Sequence, residues 1–130
     1  KRMRIEGDYM DKKILVVDDA MFMRSIIRKI LKEDGYTQVW EAQDGEKAME
    51  LFREVSPDLV LLDITMPGRS GLEVLEEMLS LVPNIRVIMC SAVGQEMMIQ
   101  KALTIGAADF IVKPFKADEF SRIVNRCLEQ

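Results

Sequence analysis

Two apolar runs in this chain end in carboxylates. Residues 14–17 (ILVV) lead into Asp18-Asp19, and residues 59–62 (LVLL) lead into Asp63, followed at once by Ile64-Thr65-Met66-Pro67. A carboxylate can ligate a hard cation, or it can attack phosphorus and form an acyl phosphate. The chain has no histidine. That removes the commonest general base and the commonest metal ligand, so a metal site here must be built from oxygen, which points to Mg²⁺. Two further apolar segments end in chemistry-bearing residues. Ser91 follows residues 86–90, and Lys113 follows residues 109–112 and precedes Pro114.

The elements that carry these residues alternate strictly. Apolar strand-like runs at 14–17, 37–42, 59–62, 86–90 and 109–112 are each followed by a stretch of helical period. Ile26, Ile27, Ile30 and Leu31 mark the first helix (22–32), which Gly35 stops. Asp44-Gly45 opens the second, with Ala48, Leu51, Phe52 and Val55 on one face, and Ser56-Pro57 ends it. Ser70 and Glu73 form a capping box for a third over 71–81, broken by Pro83-Asn84. The fourth spans 95–105, with Gly106 as its stop, and the fifth spans 117–128. The first and third strands are continuous apolar runs, as expected when both faces are covered. Five βα units with right-handed crossovers make an α/β fold, a doubly wound five-stranded parallel sheet of flavodoxin-like type. In the order 2-1-3-4-5 the chain reverses direction between strands 1 and 3, and ligands bind outside the carboxyl ends there. Asp18, Asp19 and Asp63 then converge. The competing reading is that Asp19 merely caps the helix that follows it.

The 130 residues are 48% hydrophobic, with a net charge of −4. That is one ordinary globular domain, and the charge argues against nucleic acid or an anionic membrane as partner. Cys90 and Cys127 form no CxxC motif, so buried reduced thiols are favoured over a disulfide. No apolar run approaches the roughly 18 residues of a membrane span, and a cytoplasmic location is expected. Residues 1–11 show no period and read as a tag or flexible lead-in, with Met10 as a candidate start, ahead of a domain over 12–130.

The segments "VVDDAMFMR", "PDLVLLDITMPGRSGLEVL", "VIMCSAVG" and "GAADFIVKPF" resemble the receiver domains of two-component response regulators, from residue 12 to the end. "DDAMFMR", "DITMP" and "CSAVGQ" are most similar to the stand-alone chemotaxis receivers of the CheY type. The resemblance implies that Asp63 is the phosphoacceptor. It implies that Asp18 and Asp19 hold Mg²⁺ together with Asp63 and the backbone carbonyl of Thr65. Ser91 would hydrogen-bond the phosphoryl group, Lys113 would pair with it through a cis Lys113-Pro114 peptide, and Phe110 would be the aromatic switch. The implied partners are a histidine sensor kinase (CheA-like) as donor, a flagellar-switch or other output protein, and a phosphatase. The protein would be a switch rather than an enzyme, catalysing only its own phosphorylation and dephosphorylation. Thr65 stands where the best-known relatives have asparagine, and Phe110 where they have tyrosine. The first bears on hydrolysis of the phosphoryl group. The second removes a hydroxyl, so switching must act through ring packing.

Other readings are weaker. The alternative within the family is a receiver excised from a longer regulator with a DNA-binding or enzymatic output domain. A haloacid-dehalogenase-like phosphohydrolase resembles D-x-D-x-T after its first strand, and a flavodoxin needs a phosphate-cradling loop there; "DDAMFMR" is neither. The fourth helix carries Met98, Ala102 and Ile105 as one stripe and Ile99 and Leu103 as a second. One stripe suffices for packing on the sheet, so Ile99 and Leu103 are expected to be an exposed strip that meets the output partner, beside Phe110; the competing reading is a helix that is merely buried more widely.

Overall fold

The two driest runs of the sequence form neighbouring inner strands. In the structure, a computed structural model that describes residues 11–129, β1 (Lys13–Val17) and β3 (Leu59–Asp63) pair at the centre of the sheet. The expected lead-in, apart from Asp11, lies outside the described residues. Around this pair the parallel sheet runs β2-β1-β3-β4-β5, with β2 over Gln38–Ala42, β4 over Arg86–Ala92 and β5 over Asp109–Lys113. This is the doubly wound order expected from the alternation.

Strand period two sends alternate residues to opposite faces, and helices cover both. Leu15, Val17, Val60 and Leu62 pack under α2 (Gly45–Val55), α3 (Gly71–Leu81) and α4 (Glu96–Ile105), through Phe52, Val74, Met78 and Ala102. Ile14, Val16, Leu59 and Leu61 pack on the other face under α1 (Met21–Glu33) and α5 (Ala117–Glu129), through Ile27, Leu31, Phe120 and Val124.

The helix ends follow the local chemistry. Asp44 caps α2 by accepting from the Lys47 amide at 2.8 Å. The Ser70–Glu73 capping box of α3 is present in both directions. Ser56 takes up a left-handed conformation (φ 54°) to end α2 before Pro57. Asp19 does not cap α1: Ala20 is the N-cap and no side-chain cap bond is made.

The strands β3, β4 and β5 run one or two residues past their apolar runs. Asp63, Ser91 and Lys113 are therefore themselves paired strand residues, facing Cys90, Val112 and Ala92 respectively. The ladder holds their backbones, and only the side chains remain to be placed.

One expectation is overturned on α4. Ile99 is 8% exposed and belongs to the core with Ala102, while Met98 and Ile105 pack against that core from its edge. The second stripe is thus split: Ile99 widens the buried face, and Leu103, 39% exposed, lies outside it. The helix packs where α3, β4 and the sheet face meet, so its buried arc is wider than one stripe. Ile99 is not a surface residue.

Candidate functional site

The site lies at the carboxyl ends of β1, β3 and β5. Asp18 and Asp63 are buried and Asp19 is exposed, and one carboxylate oxygen of each lies within 4.8 Å of the others. Lys113 reaches in from β5, its Nζ 3.2 Å from Asp18 Oδ2 and 3.4 Å from Asp63 Oδ1. The Lys113-Pro114 peptide is cis, as the family resemblance implies.

Three carboxylates and one ammonium sum to a formal charge of −2 in a confined space. Burial pushes the Asp63 carboxyl up to about 6; the Lys113 ammonium works against that rise and the Asp18 carboxylate adds to it. Burial opposes the charge on Lys113, but Asp63 and Asp18 together outweigh it and hold the ammonium above the usual lysine range. The cluster is short of positive charge by the amount one divalent ion carries. Its donors are all oxygen, which suits a hard cation of the Mg²⁺ class. The residues therefore fit the ion that the resemblance implies.

Neighbouring groups fix the acids. Asp18 Oδ1 accepts from the Ala20 amide at 2.9 Å, which folds the Asp18 carboxyl back over the start of α1. Arg24 donates to the Asp18 carbonyl at 2.6 Å and pairs with Glu41 of β2 at 3.0 Å. The Thr65 amide lies 3.4 Å from Asp63 Oδ1, so the Thr65 backbone runs beside the carboxylate. The chain can turn this tightly after Asp63 because Gly71 opens α3 against it. A Cβ at Gly71 would collide with the Asp63 carbonyl and come within 2.8 Å of Ile64 Cα. The Gly71 amide instead donates to the Ile64 carbonyl at 2.8 Å.

Ser91 lies on the neighbouring strand, wholly buried, and among the described residues its hydroxyl has no hydrogen-bond partner. Buried hydroxyls are normally paired, so this one stands out beside the acid cluster. Beside Asp19 the surface opens into a cleft lined also by Asp44, Glu46, Pro67 and Arg69. Phe110, on the edge strand β5, is partly exposed. Met97 and Val93, for which no role was expected, are among the most exposed apolar side chains described, at 77% and 76%.

Asp18, Asp19, Asp63 and Lys113 thus meet where the strand order predicts, with Ser91 on the adjoining strand. The sequence alone assigns no role to Arg24, Glu41 or Gln95. Gln95 stood within the "CSAVGQ" segment, but nothing in its type or spacing foretold the contacts its side chain makes.

The fold, the switch-point acids and the lysine that reaches them define a receiver of the response-regulator class. Residues 14–125 match the response regulator receiver domain model, and the chain belongs to that family. It is 48% identical to the chemotaxis protein CheY of Bacillus subtilis over 92% of this chain and 99% of that one. It is 42% identical to CheY of Thermotoga maritima, over 90% and 98% of the two chains. Among solved structures, the receiver domain of NtrX from Brucella abortus superposes with a TM-score of 0.87 at 37% identity, covering 91% of this chain and 99% of that one. A longer NtrX structure matches over 26% of its length, so the same fold also occurs there within a larger chain. Among the described residues no helix is long and apolar enough to cross a membrane.

Proposed function

We propose that Asp63 accepts a phosphoryl group from a phosphohistidine on a CheA-like sensor kinase, and that the resulting charge switches binding of a chemotaxis output protein at the flagellar motor. The observation that carries this reading is the meeting of Asp18, Asp19 and Asp63 with the Lys113 ammonium at one strand edge. The similarity to chemotaxis receivers named CheY supports the choice of pathway.

Asp18, Asp19, Asp63 and the Thr65 carbonyl would hold Mg²⁺. When bound, the ion supplies positive charge that offsets the acid cluster and the phosphoryl oxygens. The remaining chemistry belongs to the chain. The Asp63 carboxylate attacks phosphorus as the P–N bond to the donor imidazole breaks, and the leaving nitrogen keeps the electron pair. Lys113 is already within reach of Asp63 and pairs with an oxygen of the transferred group. The unpaired Ser91 hydroxyl donates to another. Attack of water on phosphorus later returns the Asp63 carboxylate and inorganic phosphate, a step open to a phosphatase. Attack needs the carboxylate form of Asp63, which Lys113 favours by lowering its pKa against the effect of burial.

The test is uptake of labelled phosphate from a small acyl phosphate or phosphoramidate, with and without Mg²⁺. The wild-type protein should be labelled only with the cation, and the label should be lost in Asp63→Asn. Equal labelling of Asp63→Asn would place the acceptor elsewhere.

A further inference from the structure

Gln95 occupies the N-cap position of α4, but its side chain makes no cap bond to the helix. It turns back toward the site instead. Its Oε1 accepts from the Ala92 amide at 2.7 Å, and its Nε2 donates to Thr65 Oγ1 at 2.5 Å. The direction of the amide is fixed by chemistry, because the Ala92 N–H needs an acceptor and only the carbonyl oxygen of Gln95 provides one. Ala92 is the residue after Ser91, and Thr65 is the second residue after Asp63. The Thr65 amide in turn faces Asp63 Oδ1 at 3.4 Å. One side chain therefore ties the end of β4 to the loop that follows the acceptor carboxylate.

The position of Ser91 gives this tie a consequence. Its hydroxyl is buried and, among the described residues, unpartnered. A phosphoryl group on Asp63 would give it an acceptor, and any movement of Ser91 toward that group would carry the end of β4 with it. Ala92 must move with Ser91. Both ends of the Gln95 amide are occupied, so the bridge between Ala92 and Thr65 resists any change in their spacing. We propose that Gln95 is a positioning residue for the switch: its side chain holds the β4–α4 junction in the unphosphorylated arrangement, and its two hydrogen bonds are part of what phosphorylation must overcome. This rests on Asp63 being the acceptor. A capping role would have the amide bond to the first turn of α4, which it does not do.

If the bridge opposes the switched arrangement, losing it raises the fraction of protein ready to bind a phosphoryl mimic and tightens the apparent affinity by the same factor. Two ordinary hydrogen bonds, partly replaced by water, correspond to about a two- to tenfold change, or roughly 0.4–1.4 kcal/mol.

The experiment is calorimetric titration of the full chain with beryllium fluoride in saturating Mg²⁺, for wild type, Gln95→Ala, Thr65→Val and the Gln95→Ala/Thr65→Val double variant. Gln95→Ala and Thr65→Val should each tighten binding about two- to tenfold. The double variant should be no tighter than the tighter single, since all three lose the same bridge. Unchanged or weaker binding by folded Gln95→Ala overturns the proposal, as does full additivity in the double variant. A change in Mg²⁺ affinity that accounts for the whole effect overturns it too. Should Gln95→Ala fail to fold, Thr65→Val reads the same bond from its other end. Wild-type protein that binds beryllium fluoride no better than Asp63→Asn overturns the acceptor reading itself, and this proposal with it.

Discussion

The Lys113 ammonium stands 3.4 Å from the Asp63 carboxylate, and the same nitrogen also serves Asp18 at 3.2 Å. One lysine is shared by two buried acids, and burial still pushes the Asp63 carboxyl up to about 6, with Lys113 opposing that rise and Asp18 adding to it. The sign for stability follows. An acid whose folded pKa exceeds its unfolded value favours folding while protonated, and that contribution is lost as pH rises through the folded pKa. Without divalent cations, the wild-type protein should lose on the order of 1–2 kcal/mol between pH 4 and 7 relative to Asp63→Asn, after discounting for solvent screening. Thermal melts of the two proteins in chelator across that range check it. Parallel curves would mean that Asp63 ionises without cost. Adding Mg²⁺ at pH 7.5 should narrow the difference, because the ion binds only the carboxylate form.

Asp19 makes the second prediction. It is exposed and contributes no cap to α1, so a structural reason for an acid there is missing. Asp19→Ala should weaken Mg²⁺ binding at least tenfold, about 1.4 kcal/mol or more, with little change in melting temperature. Calorimetry with the ion alone measures it. An unchanged affinity would reduce Asp19 to a surface acid.

Gly71 carries the third. The turn after Asp63 leaves no room for a methyl group between α3 and the end of β3. Gly71→Ala should cost about 1–3 kcal/mol in urea unfolding, as overpacking does, and should also slow phosphorylation, because the strain falls on the backbone that carries Asp63. A variant with wild-type stability and labelling would show that the loop yields freely.

Cys90 supplies the fourth. It is fully buried beside the acid cluster and its thiol is pushed up to about 12, by burial above all. Burial likewise raises the Cys127 thiol, so neither should react with a disulfide reagent at pH 8 in the folded protein, and both should react in denaturant. Prompt labelling of one thiol in the native state would indicate local opening at its strand or helix.

Residues whose position is set by strand ends were legible in the sequence. Parallel order and apolar runs dictate where Asp18, Asp63, Ser91 and Lys113 emerge, and the structure puts them there. The capping box at Ser70–Glu73 was legible for the same local reason. What depended on side-chain direction was not. Gln95 could have capped α4 or faced solvent, and only the folded loops bring Ala92 and Thr65 to its two ends. The burial of Ile99 was missed because a periodicity argument assumes one supporting surface. α4 rests on the sheet and on α3 together: Gly106, its C-cap, closes against Leu79, and Met98 and Ile105 fill the seam.

The burial of Ile99 moves the candidate output surface. With Ile99 in the core, the exposed apolar residues near β5 are Leu103 and Met97 on α4 and Phe110 and Val112 on β5 itself. We propose that these, rather than Ile99 with Leu103, form the face that meets an amphipathic helix of a flagellar-switch protein. Phe110 pairs with Met89 two residues before Ser91 in the register, so a shift of the β4 end toward Asp63 changes the packing around its ring. The two kinds of residue should now behave differently. Ile99→Asp places an unpaired charge in the core and should cost about 3 kcal/mol or more, visible as a large drop in melting temperature. Leu103→Asp and Met97→Asp should leave the melting temperature within a few degrees and labelling of Asp63 intact. They should still weaken binding of a switch-protein peptide to the phosphorylated form at least tenfold, about 1.4 kcal/mol. Fluorescence anisotropy of the labelled peptide reads the binding and circular dichroism reads the fold. If both surface variants bind the peptide as wild type does, the output face lies on another side of the domain. A stable, folded Ile99→Asp protein would contradict the burial on which the division rests.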